Sequence, residues 1–182
     1  MNKIFAIIPA RSGSKDFKDK NIKNLHGHSL LEWSINAAIN SELIDRVFVS
    51  TDSEEYAKMA RNLGAEVPFL RPDNISGDTS SDLDFVLHAI NEFKKLNAYP
   101  EYIVHIRPTT PLRDPNLIDE AISLFQNNKE FNSLRSVHLM SESSYKTLEI
   151  NNGTLTPLSL FNKESMDANA PRQSFPDTYQ AN

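Results

Sequence analysis

The chain has 182 residues, the length of a single domain with a sizeable core. Hydrophobic residues make up 39% of it and charged residues 24%, and no apolar run approaches the roughly 20 residues that a membrane-spanning helix needs. A net charge of −5 argues against a broad nucleic-acid surface, and the lack of cysteine excludes a disulfide framework and a cysteine nucleophile. We therefore expect a soluble, cytoplasmic protein with no nucleic-acid partner and no membrane contact.

Most of the chain alternates short apolar runs with amphipathic stretches. Residues 3–9 form a continuous apolar run that ends at a proline, which is typical of a strand covered on both faces. A hydroxyl side chain should cap two of the helices, with Ser53 at one and Thr79 or Ser80 at another. We predict further strands at 46–50, 66–70 and 102–106, and helices around 30–39, 53–64, 83–93 and 114–125.

This alternation predicts an α/β fold with a doubly wound, mostly parallel, Rossmann-like sheet, whose ligands bind at the carboxyl ends of the strands. From about residue 132 the pattern changes. Residues 134–140 favour a strand, and residues 147–158 favour a hairpin around an Asn-Gly turn at 152–153. We interpret residues 132–180 as a small β excursion within one domain that spans 1–182.

The loop after the first strand reverses the charge of the chain. Between Arg11 and Lys23, five cations stand against two acids, and Ser12, Gly13 and Ser14 lie among them. Small residues and positive charge at the end of a strand suit a polyphosphate, because backbone amides can approach an anion there. Gly13 is the only glycine in the loop, so neither the P-loop nor the dinucleotide-binding signature is present. The alternative is a solvated, lysine-rich surface loop.

The same loop resembles that of a known family. Ile8-Pro9-Ala10-Arg11-Ser12-Gly13-Ser14-Lys15, followed by Lys20-Asn21-Ile22, is similar to the signature loop of the acylneuraminate (CMP-sialic acid type) cytidylyltransferases. The resemblance continues through segments 49–52, 69–72, 78–81, 108–113, 146–148 and 171–173. It implies a fold of the nucleotide-diphospho-sugar transferase type and a homodimer that acts on CTP and an acidic keto sugar.

The resemblance also implies roles for particular residues, of which Arg11 and Lys20 would be catalytic. Nucleotide binding would involve Arg11, Ser12, Gly13, Ser14, Lys15, Lys20, Asn21, Arg71, Asp78, Ser80 and Ser81. Sugar binding would involve Arg107, Thr109, Thr110, Lys146, Arg172 and Gln173. Without the resemblance, Arg71 could be a charge at the rim of a site, residues 79–81 a helix cap and Lys146 a surface residue.

The implied reaction is attack by the anomeric hydroxyl of a 2-keto sugar acid on the α-phosphate of CTP, with Mg²⁺ bridging phosphate oxygens. In the relatives an Asp-x-Asp pair that holds magnesium lies beyond the position of Asn182, so we expect the metal ligands outside these residues. Arg107 stands where sialic-acid enzymes commonly have glutamine, and it could pair with a carboxylate. Sialic, legionaminic, pseudaminic and Kdo-like sugars all remain open.

Two other functions fit the same residues. One is a nucleotide-binding and dimerising fragment without turnover, which the missing Asp-x-Asp pair favours. The other is a sugar-1-phosphate nucleotidylyltransferase that uses a different nucleotide.

Overall fold

The computed structural model describes residues 3–13, 17–157 and 171–181, and the chain divides into two compact units, Met1–Phe131 and Asn132–Asn182. In chain order the first unit contains β1 (Ile4–Pro9), β2 (Asn24–Leu25), β3 (His28–Ser29), α1 (Leu30–Ile39), β4 (Arg46–Ser50), α2 (Glu54–Asn62), α3 (Asp82–Lys95), β5 (Tyr102–His105) and α4 (Pro115–Asn127). Strand and helix alternate from β1 to α4 almost as the apolar pattern predicts.

The main sheet of the first unit is parallel, and its described strands lie in the order β4-β1-β5. The central strand, β1, is buried on both faces. Ile4, Ala6 and Ile8 belong to one hydrophobic core, and Phe5 and Ile7 belong to the other. This two-sided burial confirms the prediction for residues 3–9, because a strand covered by helices on both faces has no polar side.

Helices cover both faces of this sheet. Leu31 of α1 and Ile118 of α4 pack into one core, together with residues of α2. The other core is aromatic, and the rings of Phe5, Phe48 and Phe93 have centroid separations of 4.5 to 5.4 Å. Phe93 belongs to α3, so helices from different parts of the chain pack on opposite faces. The fold is therefore the predicted doubly wound α/β architecture.

The predicted strand at 66–70 is wrong. Glu66 alone forms a bridge with Phe48, through hydrogen bonds between Glu66 and the flanking residues of β4. Pro68 has no N–H with which to continue the ladder, and the chain leaves the sheet there. The β2–β3 hairpin was not predicted, because it turns at His26 and Gly27 with φ of 53° and 95° and each of its strands has only two residues.

Side-chain caps begin the longer helices. Ser53 caps α2 as predicted, since its Oγ accepts a hydrogen bond from the backbone N–H of Tyr56. The cap of α3 is Ser81, which corrects the prediction of Thr79 or Ser80. Ser81 is three residues before Asp84, whose carboxylate accepts a hydrogen bond from the Ser81 N–H at 2.8 Å and completes a capping box.

The second unit contains β6 (Val137–Leu139), β7 (Leu148–Asn151), β8 (Thr154–Pro157) and β9 (Tyr179–Ala181). β6 pairs antiparallel with β9, and β7 and β8 form the predicted hairpin. Its turn residues, Asn152 and Gly153, both have positive φ, which favours Asn-Gly at this position. Across the residues described, no helix has the length and apolar character needed to span a membrane.

Candidate functional site

A cavity of about 250 Å³ in the first unit lies at the carboxyl ends of β1 and β5. Open parallel sheets bind ligands at this edge, because a crevice forms outside the carboxyl ends of the strands where the strand order reverses. The loops after β1 and β5 and the segment before α3 contribute most of the lining. The lining residues are Pro9, Arg11, Lys20, Asn21, Arg71, Gly77, Asp78, Ser80, Ser81, Asp82, Phe85, Arg107, Pro108 and Thr109.

The cavity brings together most of the site residues predicted within this unit. Those that line it are Arg11, Lys20, Asn21, Arg71, Asp78, Ser80, Ser81, Arg107 and Thr109. Ser12, Gly13 and Thr110 are adjacent in the chain but do not line it. Ser14 and Lys15 lie outside the described residues. Asp82 and Phe85 were not predicted, although both follow closely on the segment that the resemblance marked.

Two of the lining arginines are paired with acids at or just before the start of α3. Arg11 Nη2 is 2.7 Å from Asp78 Oδ1, and Arg107 forms an ion pair with Asp82. All four side chains are partly exposed, and ion pairs of this kind contribute only about 0 to 1 kcal/mol. A phosphate or a carboxylate of a ligand can therefore replace either acid as the partner of its arginine.

Arg71 is buried, with 5% of its surface exposed, and it is held by the end of β4. Its Nη2 donates to the Ser50 carbonyl oxygen at 2.7 Å, its Nε donates to Ser50 Oγ at 3.1 Å, and its guanidinium lies 4.8 Å from the centre of the Phe85 ring. Burial lowers the pKa of Arg71 to about 10, so the side chain is still a cation at neutral pH. The alternative of a rim charge is therefore wrong.

The first loop is shaped by bonds within the protein. Both donors of Ser12 are engaged by Asp52, at 2.7 Å for the backbone N–H and 2.8 Å for the hydroxyl. Gly13 follows with a φ of 67°, which glycine adopts without strain. Asn21 is buried, and its amide donates to the Arg11 carbonyl oxygen at 3.0 Å. Ser12 and Asn21 therefore support the loop, and Arg11 and Lys20 carry its charge into the cavity.

A further arginine follows the turn after β5. Burial lowers the pKa of Arg113, and its Nη1 is a buried nitrogen with no hydrogen-bond partner among the described residues. Arg113 belongs to segment 108–113, one of the segments that carry the family resemblance. Arg113 does not line the cavity.

The second unit has a cavity of its own, of about 370 Å³. It is lined by Met140, Ser143, Gln173, Phe175, Pro176, Asp177 and Thr178. The Nζ of Lys146 lies 5.8 Å from the centre of the Phe175 ring. The same ring stacks on the ring of Tyr145. Arg172 begins a short 3-10 helix, Arg172–Ser174, and the structure describes only the backbone of Arg172. Gln173 and Phe175 thus line the same cavity, and Lys146 lies beside the Phe175 ring.

The described residues offer no cluster of ligands that could hold a metal ion without a substrate. They contain no group of three or more His, Cys, Asp or Glu side chains that could hold a metal ion. Asp78 and Asp82 at the cavity are paired with arginines, and Asp52 accepts both hydrogen bonds of Ser12. Magnesium is usually bound by one or two carboxylates together with substrate phosphates, and each of these three carboxylates has a protein partner in this structure.

A doubly wound sheet with a cationic cavity at its carboxyl edge is typical of proteins that bind phosphorylated ligands. The family model described as "Cytidylyltransferase" matches residues 5–165, and the chain belongs to this cytidylyltransferase family.

Two curated relatives support this assignment. The N-acylneuraminate cytidylyltransferase of Escherichia coli O18:K1:H7 is 38% identical over 135 residues, which are 74% of this chain and 31% of that protein. The CMP-N,N'-diacetyllegionaminic acid synthase of Legionella pneumophila is 35% identical over 122 residues, which are 67% of this chain and 53% of that protein. The chain thus matches between about a third and a half of the length of these two relatives.

One solved structure illustrates the shared fold. The structure of CMP-2-keto-3-deoxy-manno-octonic acid synthetase complexed with CTP aligns with a TM-score of 0.61 and 17% identity, and the match covers 76% of this chain and 54% of that one.

Proposed function

We propose that the protein transfers CMP from CTP to the anomeric hydroxyl of an acidic 2-keto sugar and releases pyrophosphate. The sugar is of the sialic, legionaminic, pseudaminic or Kdo-like class. The observation that carries this proposal is the convergence of Arg11, Lys20, Arg71 and Arg107 on one cavity, in a chain whose net charge is −5. Such a local excess of cations fits a ligand with several negative charges, and family membership supports CTP as that ligand.

The chemistry suits a site of this composition. The sugar hydroxyl oxygen forms a bond to the α-phosphorus, the bond from that phosphorus to the bridging oxygen breaks, pyrophosphate leaves and the hydroxyl proton passes to solvent. Transfers of this type depend on in-line positioning and charge neutralisation more than on a protein nucleophile. In the proposal, Arg11 and Lys20 bind the phosphates and stabilise the charge that develops on the leaving pyrophosphate.

The sugar carboxylate has a natural partner in Arg107. This arginine already binds a carboxylate, that of Asp82, and a sugar acid offers the same chemical group. Thr109 and Thr110 follow Arg107 in the turn after β5 and supply hydroxyl groups for the sugar. The cytosine would lie toward Arg71 and the Asp78–Ser81 segment, as the family resemblance implies.

We further infer that Lys146, Arg172 and Gln173 contribute to sugar binding.

We also infer that the protein is a homodimer. Support comes from the β7–β8 hairpin, where Ile150 and Leu155 are paired in register and are 74% and 63% exposed. Apolar side chains on one face of a hairpin favour an interface. Sedimentation that shows only monomer at high concentration would contradict the homodimer.

We propose magnesium as the cofactor, brought to the site with the triphosphate. We also propose the cytoplasm as the location of the protein, because CTP is available there. The metal requirement is tested by pyrophosphate release with Mg²⁺ and with excess chelator.

The experiment for the proposed function is an assay of pyrophosphate release by the full chain with CTP, Mg²⁺ and a panel of acidic keto sugars. We expect release with at least one sugar acid and none with its neutral analogue. Release with UTP or GTP and a sugar 1-phosphate, but not with CTP, would favour the sugar-1-phosphate alternative. CTP binding without release across the panel would favour the nucleotide-binding fragment and contradict the proposed transfer.

A further inference from the structure

The loop that carries Arg11 and Lys20 is held at both of its described ends by residues that follow β4. Its first end is fixed by Asp52, which accepts the two hydrogen bonds of Ser12. Its second end is fixed by Tyr56, whose hydroxyl donates to Asp19 Oδ1 at 3.0 Å. Neither Asp52 nor Tyr56 lines the cavity.

Tyr56 has two separable parts. Its ring belongs to the hydrophobic core, and only 2% of the residue is exposed. Its hydroxyl extends from that core to the loop. Burial, and then the hydrogen bond to Asp19, raises the pKa of Tyr56, so the hydroxyl keeps its proton and acts as a donor at every physiological pH.

Asp19 is an unusual residue at the point where the bond is made. Its φ is 54°, a left-handed conformation that non-glycine residues adopt rarely, although Asp and Asn tolerate it best. It precedes the short 3-10 helix Lys20–Ile22, but its side chain makes no capping hydrogen bond to that helix. The carboxylate instead accepts the bond from Tyr56, directly before the lysine that lines the cavity.

We propose that Tyr56 is a positioning residue, whose hydroxyl holds Asp19 in its left-handed conformation and thereby directs Lys20 into the cavity. Asn21 follows Lys20, and its side chain donates a hydrogen bond to the Arg11 carbonyl oxygen. The Tyr56–Asp19 bond therefore also helps to position Arg11. The proposal rests on the proposed function only for the identity of the ligand. The placement of the loop does not depend on it.

The test separates the hydroxyl from the ring and the carboxylate from the backbone. Tyr56→Phe keeps the ring, Asp19→Gly keeps the positive φ but loses the acceptor, and Asp19→Asn keeps both an acceptor and tolerance of this φ. We expect Tyr56→Phe and Asp19→Gly each to weaken CTP binding by up to about tenfold, because loss of a hydrogen bond to a charged group lowers the population of the loop conformation that binds CTP. The variant that combines Tyr56→Phe with Asp19→Gly should bind CTP as tightly as either single variant does, because both substitutions remove the same hydrogen bond.

Two controls accompany these variants. Asp19→Asn should keep the affinity for CTP within about threefold of the native value, because a neutral hydrogen bond from the Tyr56 hydroxyl replaces the charged one. Tyr99→Phe removes the hydroxyl of a tyrosine that is 60% exposed and does not line the cavity, and it should leave affinity unchanged.

A second measurement needs no ligand. Hydrogen exchange of the backbone amides at 17–23 should become faster in Tyr56→Phe, whereas exchange within β1 should stay as in the native chain. If the native chain binds no CTP, the proposed function fails, and the exchange measurement still decides the role of Tyr56. Native exchange at 17–23 together with native affinity in Tyr56→Phe would overturn the inference.

Discussion

Arg11 and Asp78 are 67 residues apart in the sequence and form an ion pair of 2.7 Å that joins two sides of the cavity. Arg11 comes from the loop after β1, and Asp78 comes from the segment before α3. About a third of each side chain is exposed, so solvent weakens the pair. The acid keeps the guanidinium at the cavity and leaves it available to a stronger anion.

Replacement of Arg11 by alanine should therefore weaken CTP binding. A charge-assisted hydrogen bond contributes about 1.5 to 3 kcal/mol, so we expect a loss of roughly tenfold or more in calorimetric titration. Arg61→Ala is the matched control, because Arg61 pairs with Glu54 at 2.6 Å and does not line the cavity. Equal affinity of the Arg11 and Arg61 variants would remove Arg11 from the site.

Arg107→Gln should act on the sugar and not on the nucleotide. The variant keeps a polar side chain but loses the charged, bidentate donor, so KM for the acidic sugar should rise about tenfold while KM for CTP changes little. Steady-state kinetics with one substrate varied at a time distinguishes the two effects. A rise in KM for CTP alone would place Arg107 with the nucleotide.

The cap of α3 can be tested by stability. Ser81→Ala removes the hydroxyl that accepts from the Asp84 N–H, and the loss of such a cap costs about 1 kcal/mol of unfolding free energy. Thr79→Ala is the control, because Thr79 is exposed and does not cap the helix. Urea denaturation that gives the same loss for both variants would contradict the assigned cap.

His88 should make the stability of the protein depend on pH. Burial lowers the pKa of this histidine, although Glu92 at 3.8 Å acts in the opposite direction. The unfolded chain, with a histidine pKa of about 6.5, then binds the proton more readily than the folded chain does. The contribution of His88 to stability is complete above that value and is lost as the pH falls below it.

His88→Gln tests this dependence, because glutamine keeps a polar side chain that does not titrate. Urea denaturation at pH 7.5 and pH 5.5 should show a smaller loss of unfolding free energy on acidification in the variant than in the native chain. An equal loss in both proteins would assign the acid sensitivity to other groups.

Much of the fold could be predicted because its signals are local. The apolar run at 3–9 indicated a strand buried on both faces, and Ser53 marked the start of α2. The strand predicted at 66–70 was wrong because apolar content alone does not reveal that Pro68 ends the pairing. Two serines and a threonine precede α3, and only the position of Asp84 selects Ser81 as the cap.

The site could be predicted in part. Local charge indicated an anion site at the first loop, and the family resemblance indicated which later segments contribute to it. The partners of the arginines could not be predicted, because the pairing of Arg107 with Asp82 depends on how β5 and α3 pack. The ring of Tyr56 lies in the core, and the bond of its hydroxyl to Asp19 could not be predicted because it depends on tertiary structure.

The most direct test of the central claim, that the cavity of the first unit binds CTP, is calorimetric titration of CTP and UTP into the native chain with Mg²⁺ present. We expect saturable binding of CTP at one site per chain and binding of UTP that is at least about tenfold weaker. Absence of saturable heat with CTP, or equal affinity for the two nucleotides, would contradict it.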